Sequence, residues 1–343
     1  MFRQIMSRLL PVVLCLSLIA IGCTREQSLA EPPAEPSHNG AGDAQSTATP
    51  KKSPQVTYNI WGITPDLMYL VPLTVEADRP QDRPNQAVQA LTDWPDQSGA
   101  TLSPWPEGTR LELVGPVKNG KAMVNIANLK SGVFGSAGEG FALNSLVLTL
   151  TQFAEPKIDR VQILVDGQTK DSLAGHVDIS RPLESGSYLN WISWDGDPVL
   201  DPAEAIALTL YFAEPTATYL VPITRFVPKT KEVARAVVDE LISGPKEESG
   251  LDPVIPAGTR CLGLSLADGT LTVDFSRELR DNHSGGSAAE RLTVDAVVHS
   301  LGQLPGVKQV QILIEGEKGA SIGGHRVLSE PIAPDYLNPV ASF

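Results

Sequence analysis

Apolar and polar residues alternate through Val56-Thr57-Tyr58-Asn59-Ile60-Trp61, a run rich in β-branched and aromatic side chains, and the pattern predicts a strand. A second strand is predicted at Tyr69-Leu70-Val71-Pro72-Leu73-Thr74. Its proline cannot donate to a central ladder, which puts it at a sheet edge or at its own end. Ala87, Val88, Leu91 and Trp94 then follow at helical spacing up to Pro95. After a loop ending Pro106-Glu107-Gly108-Thr109-Arg110, Asn119-Gly120 predicts a hairpin turn, since both residues tolerate positive φ. The returning strand turns Ala122, Val124 and Ile126 to one face. A Gly/Ser-rich loop at 131–140 is expected to open a second helix, with a buried stripe of Ala142, Leu146, Leu150 and Phe153. The last strand is Val161-Gln162-Ile163-Leu164-Val165-Asp166-Gly167.

The whole series then recurs. Tyr219-Leu220-Val221-Pro222-Ile223-Thr224, Pro256-Ala257-Gly258-Thr259-Arg260, Asp268-Gly269 and Val310-Gln311-Ile312-Leu313-Ile314-Glu315-Gly316 repeat the first-half motifs at offsets of 149–151. A Gly-His pair follows each final strand, at Gly175-His176 and Gly324-His325. Chance convergence would not hold register across two helices and several strands, so the chain is read as a duplicated α/β unit. The units are placed at 56–183 and 205–333, with a linker at 184–204 and a C-terminal tail at 334–343. Two surface features follow from the pattern. Edge strands Tyr69–Thr74 and Tyr219–Thr224 could pair with another chain, limited by their prolines. Leu164 and Leu313 fall on the face of their strands opposite the apolar one, so either a loop covers them or they mark a partner contact.

The N-terminus changes the picture from a plain globular chain to an anchored one. Arg3 and Arg8 precede an apolar run, Leu9 to Gly22, that is short for a membrane span but suits a secretory signal. The run ends Ile19-Ala20-Ile21-Gly22-Cys23, which resembles the lipobox of bacterial lipoprotein signal peptides, with Ala20 where leucine is preferred. Residues 1–22 are therefore expected to be removed and Cys23 to carry lipid. Residues 23–55, rich in Ala, Glu, Pro, Ser, Thr and Gly, read as a disordered tether. The formal net charge of −13 argues against nucleic-acid binding and against electrostatic adhesion to anionic lipid.

Candidate chemistry adds little. GxSxG, HExxH and Walker A patterns do not occur. Ser243 and Lys246 have SxxK spacing, but Gly244-Pro245 breaks the helix such a pair needs. His176 and His325 are expected to make local turn hydrogen bonds rather than bind metal, and are retained as possible partner contacts. Arg110 and Arg260 could grip a partner carboxylate or pair locally. Asp195, Asp197 and Asp201 lack a full calcium-loop ligand set. Leu111 stands opposite Cys261 in the repeat, so Cys261 is expected in the core. Tyr188, Trp191 and Trp194 of the linker are expected to pack between the domains.

The lipobox, the paired Tyr-Leu-Val-Pro strands, the paired Pro-x-Gly-Thr-Arg turns and the paired Val-Gln-Ile-Leu strands resemble GerM-like lipoproteins of sporulation and spore germination, which carry two tandem GerMN domains. The resemblance implies an α+β fold of two duplicated two-layer domains. Each would be a small mixed sheet packed against two helices, similar to ring-building motifs. It also implies a non-enzymatic scaffold on the extracytoplasmic face of the membrane, in the intermembrane space around the forespore. The expected partners are ring-forming channel proteins between mother cell and forespore, with no cofactor, metal or catalytic residue. The competing expectation is an envelope lipoprotein that binds a ligand or acts on peptidoglycan.

Overall fold

The computed structural model describes residues 56–77, 80–186, 189–192, 200–201, 203–335 and 337–340. Each repeat begins with an antiparallel hairpin. β1 (Thr57–Ile63) pairs with β2 (Leu70–Glu76), and β6 (Ala205–Ala213) pairs with β7 (Leu220–Pro228). Pro72 and Pro222 lie opposite Trp61 and Tyr211 in two-stranded ladders, where a missing donor is tolerated. A helix follows, α1 (Arg83–Ala90) in the first repeat and α3 (Val233–Ser243) in the second.

The second layer of each repeat is a three-stranded mixed sheet. β3 (Arg110–Leu113), β4 (Lys121–Ala127) and β5 (Arg160–Val165) run in the order β3-β4-β5, the first pair antiparallel and the second parallel. The parallel pair needs a crossover, which α2 (Ser136–Thr151) supplies. The second repeat matches it with β8 (Cys261–Ala267), β9 (Thr270–Phe275), a short α4 (Glu278–Asp281), α5 (Ser287–Gly302) and β10 (Gln309–Ile314). At the hairpin turns, Asn119 and Gly120 have φ of 50° and 72°, and Asp268 and Gly269 have 51° and 82°, the left-handed pair that a primed turn requires. The second helix of the first repeat starts at Ser136, so Gly138 and Gly140 are helical rather than part of the expected loop. Glu139, bonded to Gly135 and to a distant loop, overrides their poor helix propensity.

The long helices do more than cover the sheets. Ser145 Oγ donates to the Trp61 carbonyl (2.5 Å) and the Trp61 N–H donates to Thr149 Oγ1 (3.2 Å). The Gln152 amide pairs with both backbone groups of Asn59. Ser300 and Gln303 repeat this on Tyr211 and Thr209. Buried Ser145, Thr149 and Ser300, with the exposed Gln152 and Gln303 just past the helix ends, thus satisfy backbone groups on the outer edge of β1 and of β6.

The core shows a size exchange between the repeats. Gly62 lies under the Trp94 indole so closely that a Cβ would sit 2.4 Å from two ring carbons. At the equivalent positions of the second repeat the strand carries the large residue, Phe212, fully buried, and the helix end carries Gly244. Large and small residues are thus exchanged between strand and helix end in the sequences of the two repeats.

The two repeats are tied by matched asparagines. Asn190 accepts from the Leu70 N–H (2.8 Å) and donates to the carbonyls of Leu70 (2.7 Å) and Pro222 (2.8 Å). Asn338 accepts from the Leu220 N–H (2.8 Å) and donates to the carbonyls of Leu220 (2.8 Å) and Pro72 (3.0 Å). Buried Tyr69 donates to the Ser249 carbonyl of the other repeat (2.9 Å), and Tyr219 to that of Ala100 (2.7 Å). The arrangement is a pseudo-two-fold clamp.

This clamp corrects two expectations. The proline-bearing edges are not open to another chain. Thr74 takes up Leu337, Asn338 and Val340 through backbone bonds, and the Thr224 N–H donates to the Leu189 carbonyl. The linker does tie the domains, but through Asn190. Trp191 is 53% exposed and meets Phe226 edge-on at 5.7 Å. Tyr188 and Trp194 lie outside the described residues.

Candidate partner-binding surfaces

The loops after β5 and β10, which carry the Gly-His pairs, are each wound around one buried carboxylate. Glu139 and Glu290 sit in the first turns of α2 and α5 and are both 0% exposed. The Glu139 oxygens accept from the backbone N–H groups of Leu173, Ala174 and His176, each at 2.9 Å. Those of Glu290 accept from Ser321 Oγ (2.9 Å), Ile322 N (3.1 Å) and His325 N (2.8 Å). Burial alone would raise both carboxyls. The N–H donors of Ala174, His176 and Leu173 outweigh it at Glu139, whose pKa is lowered. The donors from Gly323, His325, Ser321 and Arg326 hold Glu290 at about 2. A carboxylate at a helix N-terminus is also favoured by the helix dipole.

This places the twin histidines. His176 and His325 are fixed by their backbone N–H groups while their residues lie exposed on the loop surface. Arg326 adds an ion pair to Asp295 at 2.8 Å, pinning the second loop to α5. Among the described residues, no group of three or more His, Cys, Asp or Glu side chains is placed to hold a metal. The repeated Gly-His signal belongs to a loop held by a buried glutamate. Sequence reasoning missed Glu139 and Glu290, although the offset of 151 between them was available.

The face carrying Leu164 and Leu313 is less open than the alternation suggested. Both leucines are half-buried. Gln311, on the same face, is only 1% exposed, and its amide donates to the carbonyls of Ile312 (3.0 Å) and Leu328 (2.8 Å). Gln162 does the same with Ile163 and Ile179, each at 3.2 Å. The returning segments also close the free edges of these strands, since Val161 exchanges two backbone bonds with Leu183 and Val310 two with Ile332. The opposite sheet edge, β3 in one repeat and β8 in the other, ends its ladder. There Leu262 and Leu266 remain exposed.

Cys261 is buried and free, and burial pushes its thiol up, as a core cysteine would be. Ser243 donates to the Asp239 carbonyl at the end of α3. Arg260, largely exposed, lies 3.8 Å from Glu278, and Arg110 is exposed at the start of β3. Cys23, Asp195 and Asp197 lie outside the described residues. No described helix is long and apolar enough to cross a membrane.

No curated protein matches the chain significantly. Among solved structures, the tandem GerMN domains of the sporulation protein GerM from Bacillus subtilis superpose with a TM-score of 0.63 at 22% identity, covering 84% of this chain and 100% of that one. The first GerMN domain of the same protein matches 38% of this chain and 97% of its own at 26% identity, with a TM-score of 0.31. A putative lipoprotein from Clostridium perfringens covers 40% of this chain and 92% of its own at 21% identity, with a TM-score of 0.28. The tandem match shows that two duplicated α+β domains are the fold. The family model described as "Germane: Sporulation and spore germination" matches residues 61–171 and again 209–320, well over half of the chain. The chain therefore belongs to the Germane family of sporulation and spore germination proteins, as a GerM-like member with two domains.

Proposed function

We propose that this protein is a lipid-anchored, non-enzymatic scaffold that supports assembly or placement of the channel complex between mother cell and forespore. The observation that carries the reading is the reciprocal asparagine clamp, by which two domains of a sporulation family become one block. A pair of domains held in fixed relative orientation presents partner surfaces at a set spacing, which is what a placement factor needs. Lipid on Cys23 would hold the block at the extracytoplasmic membrane face, with residues 24–55 as the tether. A flexible chain of that length spans roughly 30 Å on average, enough to work away from the bilayer.

In-cell crosslinking during sporulation, comparing wild-type with Cys23→Ala, tests this. The wild-type protein is expected to crosslink to ring-forming envelope proteins, and the variant to lose membrane localisation while keeping its fold. Recovery of the wild-type protein without any ring component would overturn the scaffold reading.

A further inference from the structure

We propose that the first repeat carries a docking groove for an extended acidic peptide segment of a partner protein. The groove, about 670 Å³, lies at one end of the outer face of the β3-β4-β5 sheet. Val114, Pro116, Met123 and Pro182 give it an apolar floor. Lys118, Lys121 and Arg160 surround that floor with cations.

Gene duplication supplies an internal control, because the ladder registers give the equivalent position for most of these residues. Lys118 pairs with Lys121, and Lys121 with Arg160; in the second repeat Ala267 pairs with Thr270, and Thr270 with Gln309. All three cations of the groove are therefore neutral residues in the other copy. Its apolar members change as well. The Val114 N–H donates to the Met123 carbonyl, while Ser265 pairs with Thr272 at the same place. Pro116 lies in a stretch where β3 leaves the ladder before Lys118 rejoins it, and the second repeat runs straight through. The fold does not require this chemistry, since an equivalent sheet forms without it.

Charge decides the sign of the occupant. The chain carries a net charge of −13, yet this corner adds Lys157 to the three groove cations. Among the described residues, its ion pairs are those of Asp159 with Lys157 (3.7 Å) and Arg160 (3.6 Å). A cationic groove in an acidic body selects a segment bearing carboxylates or phosphates. The apolar floor favours a peptide, because a phosphate polymer would leave Val114, Pro116 and Met123 without apolar contact. Alternating side chains of an extended peptide can meet the floor and the rim together.

The inference deepens the scaffold reading by naming the chemistry of one contact, and it is tested on the purified full-length chain in detergent, independently of any role in the envelope. The probe is a fluorescein-labelled synthetic peptide alternating glutamate and valine, followed by anisotropy at low and high salt, with polyphosphate as competitor. The wild-type chain is expected to bind the peptide in a salt-sensitive manner. Lys118→Glu with Lys121→Glu is expected to weaken binding by about tenfold or more, equivalent to about 1.4 kcal/mol. The same variant should gain affinity for a lysine–valine peptide, which also shows that it is folded. Ala267→Glu with Thr270→Glu in the second repeat should leave glutamate–valine binding unchanged. Absence of peptide binding to the wild-type chain, binding of polyphosphate alone, or equal binding by the charge-reversed variant would each overturn the proposal.

Discussion

Buried Glu139 and Glu290 hold the loops after β5 and β10, and the lack of a side chain at Gly62 makes room for the Trp94 ring. Glu290 is ionised inside the protein because several donors converge on it, and its pKa near 2 makes its contribution pH-dependent. The folded value lies below that of an unfolded glutamate, about 4.3. Its stabilisation is therefore complete above roughly pH 5 and is lost as pH falls toward 2, a change of about 3 kcal/mol. Urea melts across this range are expected to show that decline. Glu290→Gln should flatten it and cost about 2–3 kcal/mol at neutral pH, because an amide cannot accept as many of these bonds. A variant whose acid limb parallels that of wild type would contradict the assignment.

Gly62 is a test of packing rather than charge. Gly62→Ala is expected to destabilise by about 1–3 kcal/mol, since its Cβ would enter the Trp94 ring. Gly62→Phe combined with Trp94→Gly, which copies the second repeat, should recover much of the loss caused by Gly62→Phe alone. A double-mutant cycle from thermal melts would show the coupling, and additive costs would contradict the exchange.

At the scale of elements, the unusual feature is a helix whose buried polar side chains serve a neighbouring strand. Thr149→Val keeps the shape but leaves the Trp61 N–H without its acceptor, and is expected to cost about 1–3 kcal/mol in denaturant melts. Hydrogen exchange should localise the loss to β1, and an unchanged Trp61 amide would count against the role of Thr149.

Strand order along the chain, both helices and both hairpin turns were legible in the sequence, because period-two and helical patterns and Asn-Gly or Asp-Gly turns are local signals. The tertiary uses of polar residues were not. Glu139 and Thr149 look like ordinary exposed positions of a helix until the loop and strand they satisfy are brought beside them. The Gly-His pairs drew attention to the imidazoles, while the structure uses those residues' backbone N–H groups. Leu164 and Leu313 were placed on the correct face, but a face that alternation alone marks as wet is partly roofed by the chain that follows. The clamp does leave a trace in the sequence: Tyr188-Leu189-Asn190 recurs as Tyr336-Leu337-Asn338. The two copies fall in 184–204 and 334–343, outside the repeat units that the apolar pattern marks out.

At the scale of the whole molecule, the clamp is reciprocal. The segment following each repeat is bonded to both hairpins, so neither repeat has a complete set of partners alone. Asn338→Ala strands the Leu220 N–H and two carbonyls in a buried site, and is expected to cost about 2–4 kcal/mol. Asn190→Ala should act on the mirror-related contacts. If the tandem domains behave as one body, scanning calorimetry of the full chain will show it. Wild type is expected to give one cooperative transition with equal calorimetric and van't Hoff enthalpies, splitting into two when Asn190→Ala and Asn338→Ala are combined. Two independent transitions in the wild-type protein would contradict it.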